Sequence, residues 1–106
     1  MQLEQIDIAR RIIAKYPDRL SLALSAGDIR RDFRQGRISS LIGLEGGHAI
    51  ENSLGALRMY YALGVRDLTL THKVTPDWDD PALDSATHKG LPAFGASDVR
   101  ATNQPA

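Results

Sequence analysis

The stretch that decides the fold is Leu41-Ile42-Gly43-Leu44-Glu45-Gly46-Gly47-His48, together with its echo Val65-Arg66-Asp67-Leu68-Thr69-Leu70-Thr71-His72. Each begins as an apolar, partly β-branched run, the pattern of a strand buried in a sheet. Each ends on a side chain with chemical capability, Glu45 in the first and His72 in the second. Between them, Leu54, Leu57 and Tyr61 fall at helical spacing and the period stops at Gly64. Strand, helix, strand with short connections is a crossover unit, and such units build parallel sheets.

Working outward toward the N-terminus, the same alternation recurs. Leu20 to Leu24 is a short apolar run, and Ser25-x-x-Asp28 then reads as a capping box that opens a helix. Ala26, Ile29 and Phe33 are expected to form that helix's inner face, with Gly36 closing it. Ile38 to Leu44 reads as the next strand. Leu3, Ile6, Ala9, Ile13 and Tyr16 mark an amphipathic first helix that Pro17 ends, because the residue before a proline avoids the α region. The order is helix, strand, helix, strand, helix, strand.

Beyond His72 the period is lost. Pro76, Pro81, Gly90, Pro92 and Gly95 interrupt any element, so residues 73–95 read as a long loop on the side where the strands end. Residues 101–106 read as a frayed tail. The whole of 1–106 is expected to be one partial domain, either a piece of a barrel or a small open α/β sheet.

Length and composition narrow the class. The chain has 106 residues, 42% hydrophobic and 25% charged, with 13 basic against 13 acidic side chains and no cysteine. That is a soluble globular profile, too short for a complete eight-stranded α/β barrel of about 250 residues. Zero net charge argues against a nucleic-acid partner. The absence of cysteine removes disulfides, thiolate metal ligands and cysteine nucleophiles. No signal-like or membrane-spanning run is present, which by default points to the cytoplasm.

Parallel sheets carry their sites at the C-terminal ends of strands, and that is where Glu45 and His72 fall. A carboxylate at such a place, if buried without a partner, costs several kcal/mol. Glu45 therefore reads either as a structural group that caps a neighbouring helix or pairs with an arginine such as Arg58 or Arg66, or as a metal ligand or catalytic carboxylate. His72, at the matching end of the next strand, would share its rim. Glu45-x-x-His48 resembles a helical metal pair, but Gly46-Gly47 disfavours a helix there, and His48 reads as a loop residue. His88 reads as solvated. A single metal held by Glu45, His48 and His72 is a further option. Gly43, Gly46 and Gly47 lack the spacing of a nucleotide-binding loop. The aspartates at 77, 79, 80 and 84 lack that of a calcium loop.

Leu41 to Ser53, LIGLEGGHAIENS, followed by Leu54 to His72, LGALRMYYALGVRDLTLTH, resembles the central signature of the membrane (renal) dipeptidase family of zinc peptidases. The resemblance runs from the N-terminal helix to Gly90-Leu91-Pro92-Ala93-Phe94-Gly95. It implies a partial (β/α)8 TIM barrel of about three consecutive βα units. It also implies two zinc ions at the C-terminal rim bridged by Glu45, and a catalytic, substrate-binding role for His72. The implied reaction is metal-assisted hydrolysis of dipeptides, and the implied assembly includes a possible homodimer.

The family's remaining metal ligands come from a His-x-Asp pair and two later histidines, which this chain does not contain. The loop Lys73-Val74-Thr75-Pro76-Asp77-Trp78-Asp79-Asp80 also departs from the family's usual run, although Trp78 and Asp80 align. The expectation is therefore a segment inactive on its own. The alternative is a non-catalytic α/β remnant that associates with a full-length relative.

Overall fold

In the computed structural model, residues 1–70 and 93–103 are described. They form α1 (Gln2–Lys15), β1 (Leu20–Leu22), α2 (Ala26–Arg34), β2 (Ile38–Ser40), β3 (Ile42–Glu45), a 3₁₀ turn (Gly47–Ile50), α3 (Leu54–Ala62), β4 (Val65–Thr69) and α4 (Ala93–Thr102). Helices and strands alternate, so the chain is α/β as expected. It divides into two compact units, residues 1–43 with 60–67, and residues 44–59 with 68–106. No helix among the described residues is long and apolar enough to cross a membrane.

The first unit is built on a parallel pair, with Leu20, Ser21 and Leu22 of β1 opposite Ile38, Ser39 and Ser40 of β2. The ladder extends past both strands, because Ile38 N–H donates to Arg19 O at 2.8 Å and Ala23 N–H to Ser40 O at 2.9 Å. Helix α1 packs on β1 and buries Ile6, which is 4% exposed. The strand expected over Ile38 to Leu44 is interrupted at Leu41, and its second half extends to Glu45. β2 pairs with β1, while β3 pairs with β4.

Helix α2 is closed at both ends by the residues its sequence offers. Ser25 Oγ accepts from Asp28 N–H at 3.1 Å, and the Asp28 carboxylate accepts from Leu24 N–H at 2.9 Å. That bond from Leu24, reinforced by Arg31 and Ser25 and opposed by partial burial, holds the Asp28 carboxyl below its ordinary pKa. At the C-terminus Gly36 takes φ +69°, a left-handed conformation that favours glycine. Gly36 N–H then reaches Phe33 O and Arg37 N–H reaches Asp32 O, which satisfies two carbonyls the helix leaves open.

The expected inner face of α2 is not the one buried. Ile29 and Phe33 are exposed, Phe33 by 84%, Ala26 is exposed too, and the buried residue is Asp32 at 0%. The reason is polar matching. Asp32 receives a hydrogen bond from Ser39 Oγ of β2 at 2.8 Å and from Arg31 at 3.3 Å, and Ser21 of β1 bonds it as well. Burial pushes the Asp32 carboxyl up, but the Ser39, Ser21 and Arg31 contacts outweigh it and leave the group below its ordinary pKa. The side of α2 that meets the β-pair is thus hydroxyl and carboxylate rather than hydrocarbon.

Arg66, at the start of β4, ties the C-terminus of α3 to Leu24, just after β1, within this first unit. Its guanidinium stacks 3.7 Å from the Tyr61 ring centroid and donates to Leu24 O, Tyr61 O and Val65 O. Gly64 has φ +103°, and a Cβ there would meet Leu22 Cδ2 at 3.3 Å, so both conformation and space require glycine. Arg10 of α1 donates to Leu63 O. The helix break foreseen at Gly64 is thereby fixed from three sides.

Helix α4 occupies part of a segment expected to be loop and tail. Pro92 and Gly95 read as breakers, yet the helix begins at Ala93 and carries Gly95 in its first turn, where backbone N–H groups need no intrahelical partner. Residues 71–92, which hold most of the anticipated loop with His72 and His88, lie outside the described residues, as do 104–106.

Two measurements test this account. Ser25→Ala is expected to cost about 1 kcal/mol of stability in chemical denaturation, the usual loss of a side-chain cap. For Asp28 and Asp32 the folded pKa lies below the ordinary 3.8. Their stabilisation is therefore present above that value and lost as pH falls through the lower folded values. Denaturation midpoints should drop between about pH 6 and about pH 3, and Asp32→Asn should be less stable at the higher pH with a smaller drop.

Candidate functional site

The second unit contains Glu45, the last residue of β3. Along β3 the side chains alternate, with Ile42 and Leu44 buried and Gly43 and Glu45 exposed, as a strand with one covered face requires. Glu45 is thus a solvent-facing carboxylate, not a buried charge, and the desolvation cost anticipated for it does not arise. Arg66, one of the cations suggested as its structural partner, is engaged by Tyr61, Leu24 and Val65.

Directly after Glu45 the chain is stitched to the end of β4. Gly46 N–H donates to Thr69 O at 3.0 Å and Gly47 N–H to Leu70 O at 2.6 Å. The bonds advance in the same direction along both segments. The level of Glu45 relative to the strand that leads to Thr71 and His72 is therefore set by backbone geometry up to Leu70. The sequence argument placed Glu45 and His72 at corresponding strand ends, and Leu70 is as far as the described residues carry it.

The loop after Glu45 is short and internally bonded. Gly46 has φ +91° and is buried, which permits the sharp exit from the strand. Gly47–Ile50 then makes a 3₁₀ turn, with Ala49 N–H on Gly46 O and Glu51 N–H on His48 O. Ile50, 0% exposed, anchors it. Glu51 and Asn52 follow at φ +49° and +57°, left-handed positions that cost a non-glycine residue free energy and cluster in constrained loops. Ser53 ends the loop, its Oγ accepting from Ala56 N–H at 3.1 Å to open α3.

Glu45 and His48 therefore do not share a helix face. Glu45 belongs to the strand and His48, exposed, to the 3₁₀ turn. The three-residue spacing that suggested a metal pair is broken at Gly46, as the two glycines implied. The left-handed pair Glu51-Asn52 was not foreseen; its only sequence signal is the asparagine, which tolerates that conformation better than most residues.

As a metal donor set, the described residues offer the hard oxygen ligand of Glu45 but not a completed site. Among them no group of three or more histidine, cysteine, aspartate or glutamate side chains is placed to hold an ion. Zinc needs at least three protein ligands. Glu45 is chemically able to supply one such ligand.

Comparisons with known proteins place the chain in a family. Residues 1–105 match the model of the membrane dipeptidase family, peptidase family M19. The chain belongs to that family. It is 45% identical over 103 residues to Dipeptidase verJ of Clonostachys rogersoniana, covering 96% of this chain and 26% of that protein. It is 42% identical over 103 residues to Dipeptidase ataJ of Aspergillus terreus, covering 97% of this chain and 25% of that one. The chain thus spans about a quarter of the length of these curated relatives. In structure it resembles an amidohydrolase from Pseudomonas aeruginosa, with a TM-score of 0.86 at 24% identity over 95% of this chain and 30% of that one. That likeness establishes the fold of the shared part.

Replacing Ile50 by alanine should remove the anchor of the loop and cost about 2 to 5 kcal/mol, the range for emptying a fully buried aliphatic site. Glu51→Gly, by contrast, should stabilise or leave stability unchanged, because glycine adopts positive φ without penalty. Urea denaturation of both variants separates an anchored, strained loop from a passive one.

Proposed function

We propose that this chain is a central segment of a zinc-dependent dipeptidase, three consecutive βα units of a (β/α)8 barrel. The observation that carries the reading is the family match over residues 1–105 combined with Glu45 at the exposed end of β3. The backbone fastens that strand end to the strand leading to His72. The substrate class is dipeptides, and the reaction is hydrolysis of the peptide bond.

In this reading Glu45 would be one of the residues that hold the zinc, its negative charge offsetting the repulsion of close cations. When bound, zinc would supply Lewis-acid polarisation and a water of lowered pKa. His72 orients the substrate and donates a hydrogen bond to the scissile carbonyl oxygen as charge develops on it. Because the stitched loop holds Glu45 before any ligand arrives, little ordering is left for the moment of binding.

The other metal ligands have no counterpart in these 106 residues, so the isolated chain is expected to be inactive. A second reading is a non-catalytic module that associates with a longer relative. The described residues complete no metal site by themselves.

Elemental analysis and a dipeptide hydrolysis assay on one preparation decide between them. The isolated chain should hold less than one zinc and show no turnover. In a polypeptide of full family length that carries this segment, Glu45→Gln should lose zinc and nearly all activity. His72→Ala should keep zinc and lose roughly 100-fold or more in kcat, the usual effect of removing an oxyanion donor. Full activity and zinc content in both full-length variants would refute the catalytic reading.

A further inference from the structure

The ladder between β3 and β4 fixes which residue stands beside Glu45. In a parallel pair, the residue opposite position i is the one whose carbonyl receives the N–H of i+1. Gly46 N–H donates to Thr69 O at 3.0 Å, so Thr69 lies opposite Glu45, each the last residue of its strand. Adjacent strands are about 4.8 Å apart, which puts the two side chains within reach of each other if they project to one face.

Two further observations show that they do. Glu45 is exposed on β3 between the buried Leu44 and the exit of the chain, and Thr69 is exposed at the end of β4. Two residues back, a Cβ placed on Gly43 would lie 3.4 Å from Asp67 Oδ2 and 3.5 Å from Asp67 Cβ. Gly43 and Asp67 are therefore opposite each other on one face, which is the register that the Gly46 bond requires. Alternation then carries Glu45 and Thr69 onto that same face.

Thr69 brings a single hydroxyl proton and a stiff, β-branched side chain to this position. A carboxylate that holds a cation through one oxygen keeps an acceptor on the other, and such ligands are as a rule oriented by a neighbouring hydrogen bond. Asp67, on the same face, has no proton to give as a carboxylate. Threonine also suits a strand through its β-branching alone, but valine shares that property. The hydroxyl is what distinguishes the two.

We infer that Thr69 is a positioning residue for Glu45: its hydroxyl donates to the Glu45 carboxylate and fixes the rotation at which that carboxylate meets the metal. The inference rests on the reading of Glu45 as a zinc-holding residue.

The test is zinc affinity, read by competition with a chromogenic chelator, in a polypeptide of full family length that carries this segment. Thr69→Val should bind zinc about 10- to 100-fold more weakly, the usual effect of removing a ligand's hydrogen-bonding partner. Thr69→Ala, a second change that removes the hydroxyl, should do the same, and Thr69→Ser, which keeps it, should recover most of the loss. Thermal denaturation of the metal-free variants checks the strand, and Thr69→Val should melt no lower than the wild type, because valine favours a strand as threonine does. Wild-type affinity in Thr69→Val or Thr69→Ala would overturn the inference, as would a loss that Thr69→Ser does not recover. Glu45→Gln tells this failure from that of the reading beneath it. If Glu45→Gln loses zinc while Thr69→Val keeps it, Glu45 holds the metal without help from Thr69 and only the inference falls. If Glu45→Gln keeps wild-type affinity, the reading of Glu45 falls and the inference with it.

Discussion

Residues 38–45 must find strand partners for two successive short strands, and the rest of the structure follows from that requirement. The first half of the run is paired with β1 and the second half with β4, and the exchange of partners takes place at Leu41. Buried peptide groups left without partners would each cost on the order of a lost hydrogen bond. The chain therefore cannot place β1 or β4 elsewhere without exposing this central run. Helices α2 and α3 then have one task each, to carry the chain back so that the next strand starts at the same end as the last. Glu45 is where it is because the run ends there.

The polar contact beneath α2 shows how unusual a helix–sheet junction can be. Ser21, Ser39 and Asp32 occupy a place where three aliphatic side chains would be the common solution. A hydrogen-bonded cluster of this kind is directional. It holds only when α2 sits at one rotation and one height over the β-pair, whereas hydrocarbon would tolerate sliding. The helix capped by Ser25 and closed at Gly36 is thus fixed at its ends by its own residues and against the β-pair by a carboxylate in its last turn.

Much of this was legible because it rests on local chemistry. Ser25, Asp28 and Gly36 mark α2 whatever surrounds it, and Gly64 marks the end of α3 for the same reason. The position of Glu45 was legible too, since an apolar run followed by two glycines has to end in a turn. What could not be read was which side of a helix finds a partner. Periodicity revealed a stripe at Ala26, Ile29 and Phe33, but burial depends on residues distant in sequence, and the two serines that draw Asp32 inward carry no periodic signal. Helix α4 was hidden behind Pro92 and Gly95, since a helix's first turn accepts residues that its middle would reject. The exposure of Glu45 was equally illegible, because it depends on what covers the face on which it stands.

The pairing of β1 with β2 bears on the order in which the chain acquires structure. Everything that holds β1, α2 and β2 together lies between Arg19 and Ser40: both ladder extensions, both helix ends and the buried carboxylate. Contacts so close in sequence close small loops at little entropic cost and are made early. During synthesis this segment can leave the ribosome and assemble before β4 exists. Glu45 then stands at the end of a strand still without its partner, and the stitch from Gly46 and Gly47 to Thr69 and Leu70 can form only once β4 is made. The strand end that bears Glu45 is thus completed later than the β1–β2 pair.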